Sequence, residues 1–211
     1  LNMMDRYSLL VLEMPYSSAP YFNHYLDLRD DGEAGRYFAA TLLDDVGVRD
    51  VELLLKHIRR WNKAHPDRSI HVGCSDIEHD YQATLSRVLV PYFRKVDAGF
   101  LIEPHKVDLP KLKELIPQLR KLLETGRKRG IVGDPPFLTA DFVGNVVDNL
   151  ESTRKAYAFE PADAVLQQEQ DFFEQQGMKQ YYDFVFHRQK AIARNLTDSG
   201  FWDDAGQRER S

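Results

Sequence analysis

The hydrophobic pattern changes along the chain from short apolar runs to helical spacing. Residues 7–13 form a short continuous apolar run, which is typical of a strand covered on both faces in a parallel sheet. The segment IHVGCSD, residues 70–76, predicts a second strand. A strand, helix, strand order is the βαβ arrangement, whose right-handed crossover makes the two strands parallel. Apolar residues at helical spacing predict the helices of this half at 16–28, 33–43, 51–64 and 81–96, the last interrupted or ended near Pro91.

From residue 109 onward no convincing strand pattern occurs. The spacing predicts helices over 109–129, 137–157, 162–176 and 178–196, broken at prolines. We therefore predict an α/β fold with a parallel-sheet core, flanking helices and a largely helical second half. The predicted organisation is an α/β portion over 1–108, a helical subdomain or insertion over 109–200, and a disordered polar tail over 201–211.

The predicted helix 109–129 carries a leucine face that resembles a short coiled coil. The commoner interpretation is an ordinary core-facing helix with a solvated basic face. Pro117 lies within the pattern and predicts a kink or a helix start.

Acidic residues stand at the predicted ends of both strands, Glu13 on the first and Asp76 on the second. A buried, unpaired carboxylate is costly, so each acid must be solvated, paired or functional. Open α/β sheets bind ligands in the crevice outside the carboxyl ends of their strands. We therefore expect the two acids to lie together there, with a solvated terminus or a helix cap as the alternative for Glu13.

The segment SDIEHD around Asp76 is dense in possible metal ligands, but one of its polar residues more commonly caps the next helix. The histidines show no HExxH spacing, and neither a GxSxG elbow nor a GxxxxGK[ST] loop occurs. Zinc hydrolases of the HExxH kind, common serine hydrolases and P-loop enzymes are therefore disfavoured.

The last predicted helix places Arg188, Ile192 and Asn195 on one face, because they are four and three residues apart. Either Arg188 reaches an acid such as Glu13 or Asp76 in the cleft, or it forms a surface ion pair of little stabilising value. Taken alone, the spacing favours the surface pair.

Charge and length narrow the functional classes. The 211 residues carry 28 Lys and Arg against 33 Asp and Glu, a net charge of −5 that argues against a general nucleic-acid binder. The single cysteine, Cys74, allows no internal disulfide and suits a small buried packing role, and no apolar stretch is long enough to span a bilayer. We expect a soluble, cytoplasmic protein, although a start or a targeting segment upstream of Leu1 stays open.

The order of several motifs resembles the erythromycin esterase-like family. That family has a strand ending in LE, an R-x-x-N helix, a strand ending in G-x-D, and a late helix with R-D-x-x-M-A-x-N. The counterparts here are LVLEMPYSSAPYFNHYL, IRRWNKAHP, IHVGCSD and HRQKAIARN. The resemblance covers residues 7–196 and implies a parallel-sheet α/β core with a helical insertion.

The resemblance implies hydrolysis of an ester or macrolactone by a water that a histidine activates, without a cofactor. Glu13 matches the family's catalytic-site acid, which orients the base or the substrate. Asp76, Arg188 and Asn195 match positions that shape the cleft and bind substrate by hydrogen bonds. No metal ligand is implied, and the expected partner is a small-molecule ester.

Three departures from the family pattern affect this expectation. The G-E-x-T-H-G segment that supplies the histidine base, and the later strand with further histidines, have no counterpart, and Gln189 replaces the Asp of the R-D pair. None of the histidines matches the family's base position. We therefore expect a partial or diverged member that is inactive or severely impaired alone.

Two alternatives stay open. The chain is either a noncatalytic binding or assembly protein, forming homo-oligomers or complexes through the same cleft and helix 109–129, or a metal-dependent enzyme that uses residues 76–80.

Overall fold

The structure is a computed structural model that describes residues 7–42, 49–162 and 167–198. Over these residues the protein is mixed α/β with a helical majority, and two parallel strands form one sheet. The described residues fall into two compact units. The first comprises those up to Ser75 together with those from Asn195 onward, and the second comprises Asp76–Arg194. The predicted organisation with a boundary at residue 108 stays a prediction, and the tail 201–211 lies outside the described residues.

The first unit places its strands against three helices. Its elements are β1 (Leu9–Pro15), α1 (Ala19–Asp27), α2 (Asp31–Tyr37), α3 (Arg49–Ala64) and β2 (His71–Asp76), whose last residue begins the second unit. Short 3-10 turns lie at Tyr16–Ser18 and Pro66–Arg68, and a π-helical turn at Phe38–Leu42. Helix α1 packs on α3 and buries Phe22 and Leu26, while α3 buries Leu55 and Ile58. These apolar faces form the core of the unit.

The two strands differ in burial. Every residue of β2 after His71 is buried, as expected for a strand covered on both faces. In β1 the same expectation is wrong, because Leu9, Leu10, Val11 and Leu12 are only partly buried. Strand β2 is the one neighbour of β1 among the described residues. Part of the apolar surface of β1 therefore stays accessible.

The edge of β2 is closed by asparagine side chains. The amide of Asn62 bonds to both the N–H and the C=O of Ile70, at 2.8 and 2.9 Å, and Asn23 does the same at Val72, at 2.8 and 2.9 Å. His71 N–H donates to the Ser8 carbonyl on the β1 side (2.8 Å), so Ile70 and Val72 face the other edge. The two asparagines thus satisfy backbone groups that a further strand would otherwise bind.

The second unit is helical. Its elements are α4 (Tyr81–Thr84), a π-helical turn (Leu85–Leu89), α5 (Val90–Val96), a 3-10 turn (Pro104–Lys106), α6 (Leu109–Lys128), α7 (Ala140–Tyr157), α8 (Gln167–Gln175) and most of α9 (Lys179–Asp198). Side chains cap the starts of three of them: Asp80 for α4, Asp108 for α6 and Thr139 for α7. The sequence-predicted helices exist, with ends moved by a few residues because such caps decide where each begins. The predicted start of α8 at residue 162 falls beside residues 163–166, which lie outside the described residues.

The two prolines inside helical patterns have different outcomes. At Pro91 the predicted interruption is confirmed as a change of helix type, because the chain widens into the π-helical turn just before α5. Proline lacks the N–H that would bond to the residue four before it, and the wider turn accommodates this. Helix α6 begins at Leu109 and continues through Pro117, so the helix start predicted there is wrong.

Helix α6 buries its leucine face within the second unit. Leu112, Leu115, Leu119 and Leu123 are buried, and the helix packs on α5 and α7. The interpretation as an ordinary core-facing helix with a solvated basic face is therefore confirmed. Of the helices in the described ranges, none combines the length and apolar character needed to cross a membrane.

Candidate functional site

The carboxylate of Asp76 is the centre of the candidate site. Asp76 ends β2 and its side chain is only 4% exposed. Arg188 on α9 donates through Nε to Oδ1 (2.9 Å) and through Nη2 to Oδ2 (2.7 Å), which is the paired geometry that guanidinium and carboxylate groups favour. The backbone N–H of Ile77 donates to Oδ1 at 2.8 Å. Asp76 is therefore buried but fully engaged.

A histidine completes the shell of this carboxylate. His79 follows Ile77 by two residues. It donates through Nε2 to Asp76 Oδ2 at 3.0 Å. Burial raises the pKa of Asp76, but hydrogen bonds from His79 and Arg188 and from the backbone of Ile77 outweigh it and hold this pKa well below its usual range. Asp76 is consequently ionised and can only accept hydrogen bonds.

The tautomer of His79 follows from its partners. Because the Asp76 carboxylate only accepts, Nε2 carries a proton, and Nδ1 lies 2.9 Å from the Tyr157 hydroxyl on α7. Burial and the nearby negative charge of Asp76 raise the pKa of Tyr157, so its phenol keeps its proton at neutral pH and can donate it to Nδ1. Aspartate, histidine and tyrosine thus form a hydrogen-bonded chain.

This hydrogen-bonded chain of three side chains contains the groups that an acid–base site needs. A carboxylate that holds one imidazole nitrogen leaves the other nitrogen able to accept a proton, and it stabilises the imidazolium that forms. The His79 side chain is 37% exposed, so water can approach it. In His79 the accepting nitrogen is Nδ1, which is hydrogen-bonded to the Tyr157 hydroxyl.

The other acids of the SDIEHD segment have separate partners. Fully buried Glu78 accepts from the Thr84 hydroxyl at 2.8 Å, and its backbone N–H donates to Thr153 Oγ1 at 2.9 Å. Asp80 accepts from the N–H of Ala83 at 3.0 Å, which confirms the capping interpretation of the segment. Within residues 7–42, 49–162 and 167–198, no three His, Cys, Asp or Glu side chains are grouped as a metal site would require.

The residues predicted on one face of α9 both bind the end of β2. Arg188 reaches Asp76, so of the two alternatives for this arginine the structure shows the pairing with a buried acid. Asn195, in the first unit, donates through Nδ2 to the Ser75 carbonyl at 2.9 Å and is buried. Their contacts are known, whereas their roles towards a substrate stay predictions.

Glu13 lies in the first unit, two residues before the end of β1. The strand continues through Met14 to Pro15, so the prediction that Glu13 ends it is wrong by two residues. Its side chain is exposed. Because Asp76 belongs to the other unit, the expected approach of the two carboxylates stays a prediction.

The side chains of the R-x-x-N segment bind backbone groups and one carboxylate. Arg59 is buried and donates through Nε and Nη2 to the Leu28 carbonyl (3.1 and 2.6 Å) and through Nη1 to Asp31 Oδ1 (2.5 Å). Asn62, one turn later, binds Ile70 as described above. This motif therefore secures the loop after α1 and the entry to β2.

The sequence places His79 only among the possible metal ligands of residues 76–80, and it gives no site role to Tyr157. A weak signal existed for His79, since it follows Asp76 by three residues on a turn. Nothing in the sequence indicates that Tyr157, 78 residues further on, meets it.

No protein-family model, curated protein or solved structure matches this chain.

Proposed function

We propose that this chain is a partial or diverged hydrolase of the erythromycin esterase type, acting on an ester or macrolactone in the cytoplasm without a cofactor. The observation that supports it is the paired binding of Asp76 by Arg188 across 112 residues of sequence. These are two of the residues that the motif resemblance assigns to the cleft. Their contact is what a shared cleft requires.

In this proposal His79 acts as the base, although it does not match the family's base position. A water that displaces the Tyr157 hydroxyl from Nδ1 gives its proton to that nitrogen, and its oxygen attacks the ester carbonyl carbon. The bond from this carbon to the alkoxy oxygen then breaks, and the imidazolium returns the proton to the alkoxide. Asp76 holds the imidazole in place and stabilises its positive charge, while Arg188 keeps Asp76 ionised.

Glu13 and Asn195 complete the proposal as residues that orient the substrate or the base. The activity of the chain alone is expected to be slow, because Nδ1 of His79 is hydrogen-bonded to Tyr157 and Gln189 stands where the family has an acid.

The same proposal assigns β1 and β2 to a parallel-sheet core with flanking helices. The partly exposed apolar residues of β1 support a further strand on that side.

Ring opening of a macrolide by the purified chain, followed by mass spectrometry, tests the function. We expect slow conversion that His79→Gln abolishes and Glu13→Gln reduces at least about tenfold, since a positioned acid or base contributes at least that much. His105→Gln is the matched control, because His105 is an exposed histidine on the 3-10 turn before α6. Conversion that survives in His79→Gln, or no conversion together with no macrolide-induced change in the His79 NMR signals, contradicts the proposal.

A noncatalytic binding protein is the second candidate, and one observation favours its use of a charged surface. The leucine face of α6 is buried, so association through residues 109–129 would employ the charged face of that helix. Size-exclusion chromatography with light scattering checks this. A salt-sensitive dimer supports association through α6, and a monomer at all concentrations contradicts it.

A further inference from the structure

A second concave site lies within the second unit, on the sides of α7 and α9 turned away from Asp76. It is a cleft of about 430 Å³ between α6, α7 and α9. Thr153 and Tyr157 face the Asp76 site from α7, whereas Lys155, two residues from Thr153, points about 200° away around the helix. Helix α9 divides in the same manner, with Arg188 on one side and Lys190 on the other. The two sites share helices and no lining residue.

The cleft has a positive lining in an acidic protein. Four basic side chains, Arg120, Lys155, Lys190 and Arg194, line it against two acidic ones, Asp148 and Glu151. The whole chain carries a net charge of −5. Low-dielectric walls around charges of one sign concentrate ligands of the opposite sign.

Both acids in the lining are already engaged by arginines. Arg120 Nη2 binds Asp148 Oδ1 at 2.8 Å. Glu151 accepts from Arg154 outside the cleft lining, at 2.9 and 3.2 Å. Burial raises the pKa of Glu151, but the Arg154 hydrogen bonds outweigh this and lower the pKa, so Glu151 stays ionised and compensated. Lys155 Nζ also lies 3.6 Å from Glu151 Oε1. The acids of the lining therefore pair with two of its four basic groups, and the lining keeps an excess of two positive charges by count.

We propose that this cleft binds the phosphate group of a small anionic ligand. The excess of two positive charges in the lining matches a dianion, and guanidinium and ammonium groups are the usual partners of phosphate oxygens. Ser152 also lines the cleft, where its hydroxyl donates to the Asp148 carbonyl at 3.2 Å and accepts from Arg194 Nη1 at 3.4 Å. The volume falls within the range of about 300–1,000 Å³ that small-molecule sites occupy. The shared chemistry is the phosphate group, supplied either by inorganic phosphates or by a phosphorylated metabolite.

Calorimetric titration of the full chain with pyrophosphate, at constant ionic strength, tests the proposal. We expect saturable binding with one site per chain. Lys155→Gln should weaken it about fivefold, the effect of removing one partly exposed charge pair. Asp148→Asn should tighten it about fivefold, because it removes a repulsive charge and releases Arg120.

Lys128→Gln is the matched control, because Lys128 is exposed on α6 and lies outside the cleft lining. Unchanged affinity in this variant supports a local site. Equal weakening by Lys128→Gln and Lys155→Gln, unsaturable binding, or no tightening in Asp148→Asn overturns the proposal. An unchanged thermal midpoint of Lys155→Gln shows that its loss of binding is not unfolding.

Two further ligands identify the anion and its source. Citrate that binds more tightly than pyrophosphate would overturn the assignment to phosphate, since its charge is on carboxylates. Glucose 6-phosphate that binds more tightly than inorganic phosphate supports a phosphorylated metabolite. The reverse order supports the inorganic ion.

Discussion

Asp76 loses most of its hydration in the fold and regains equivalent interactions from three donors. Breaking such a group by removing one partner leaves a buried charge without compensation, which commonly costs several kcal/mol. The Arg188 side chain is 26% exposed, so part of its own charge stays solvated when Asp76 is removed. The stability that is lost on substitution should therefore come mainly from the buried charge of Asp76 and from its pairing, and less from the charge of Arg188 itself.

A double-mutant cycle measures this pairing. Asp76→Asn should lower the free energy of unfolding by about 3 kcal/mol at neutral pH. The neutral amide has one accepting oxygen in place of two, so it cannot bind Arg188, His79 and the N–H of Ile77 together. Arg188→Gln should cost at least about 1 kcal/mol less in the Asp76→Asn background than in the wild type. Urea unfolding gives both values, and strictly additive effects would show that the contact has no net energy.

The reactivity of His79 depends on Tyr157. Both imidazole nitrogens are engaged, one by Asp76 and one by the Tyr157 hydroxyl, so modification by diethyl pyrocarbonate should be slow. Tyr157→Phe releases Nδ1, and the modification rate measured by mass spectrometry should rise several-fold. Exposed His105 serves as the internal reference in the same sample. An unchanged ratio between the two histidines would contradict the hydrogen bond from Tyr157.

At the scale of elements, β2 owes its position to side chains as much as to β1. Asn23 on α1 and Asn62 on α3 each bind two backbone groups along one edge, so the helices are joined to the strand by polar contacts as well as by packing. An unpaired buried backbone group costs about 1–3 kcal/mol. This edge of β2 is protected from further strand pairing.

Asn62→Ala tests that role. The substitution leaves the N–H and C=O of Ile70 without their partner, and we expect a loss of about 2–3 kcal/mol in the free energy of unfolding. Gln189→Ala is the control, since Gln189 is an exposed amide on a helix. A similar small effect for both substitutions would show that water replaces the side-chain amide at Ile70.

The packing of α6 on α5 depends on a close approach at Gly126. A Cβ there would lie 2.5 Å from the Tyr92 hydroxyl and 3.1 Å from Val96 Cγ2. Tyr92 is fully buried, and its hydroxyl has no hydrogen-bond partner in the part of the chain that the structure describes. Tyr92→Phe should therefore be neutral or stabilising by up to about 1 kcal/mol.

Gly126→Ala should destabilise the protein by about 1–3 kcal/mol through overpacking. Tyr92→Phe removes the atom with the shortest contact, so the double variant should recover a large part of this loss. Thermal unfolding of the four proteins in this cycle gives the comparison. A double variant as unstable as the sum of the two would place the clash elsewhere, for instance at Val96.

At the scale of the whole molecule, both units contain carboxylates that folding keeps ionised. Hydrogen bonds from Lys63 and Arg59 lower the pKa of Asp31 in the first unit to about 2. In the second unit the pKa values of Asp76, Glu151 and Glu160 are lowered as well. A carboxylate with a depressed pKa in the folded state stabilises it above the unfolded pKa, and this stabilisation is lost as the pH falls.

The free energy of unfolding should accordingly change little between pH 7 and about pH 5, and it should fall below about pH 4. Asp76→Asn should make the acid slope shallower, because one of the titrating groups is gone. Stability that rises on acidification would contradict the direction of these pKa shifts.

Local patterns in the sequence determined the elements of this protein. An apolar run predicts β1, the segment 70–76 predicts β2, and the helical spacing predicts the helices, because periodicity and caps such as Asp80 depend on residues within a turn or two. The shared face of Arg188 and Asn195 follows from the same geometry. Element ends were less accurate, as at Glu13, because pairing with β2 extends the strand beyond its apolar run.

Tertiary structure alone decided which groups meet. It selected Asp76 rather than a surface acid for Arg188, and it brought Tyr157 to His79 across 78 residues. It also left β1 partly exposed while burying β2, although β1 is the more apolar of the two strands. Contacts between distant segments depend on how helices pack and on which charges are desolvated together, and neither quantity is contained in the spacing of residues along one segment.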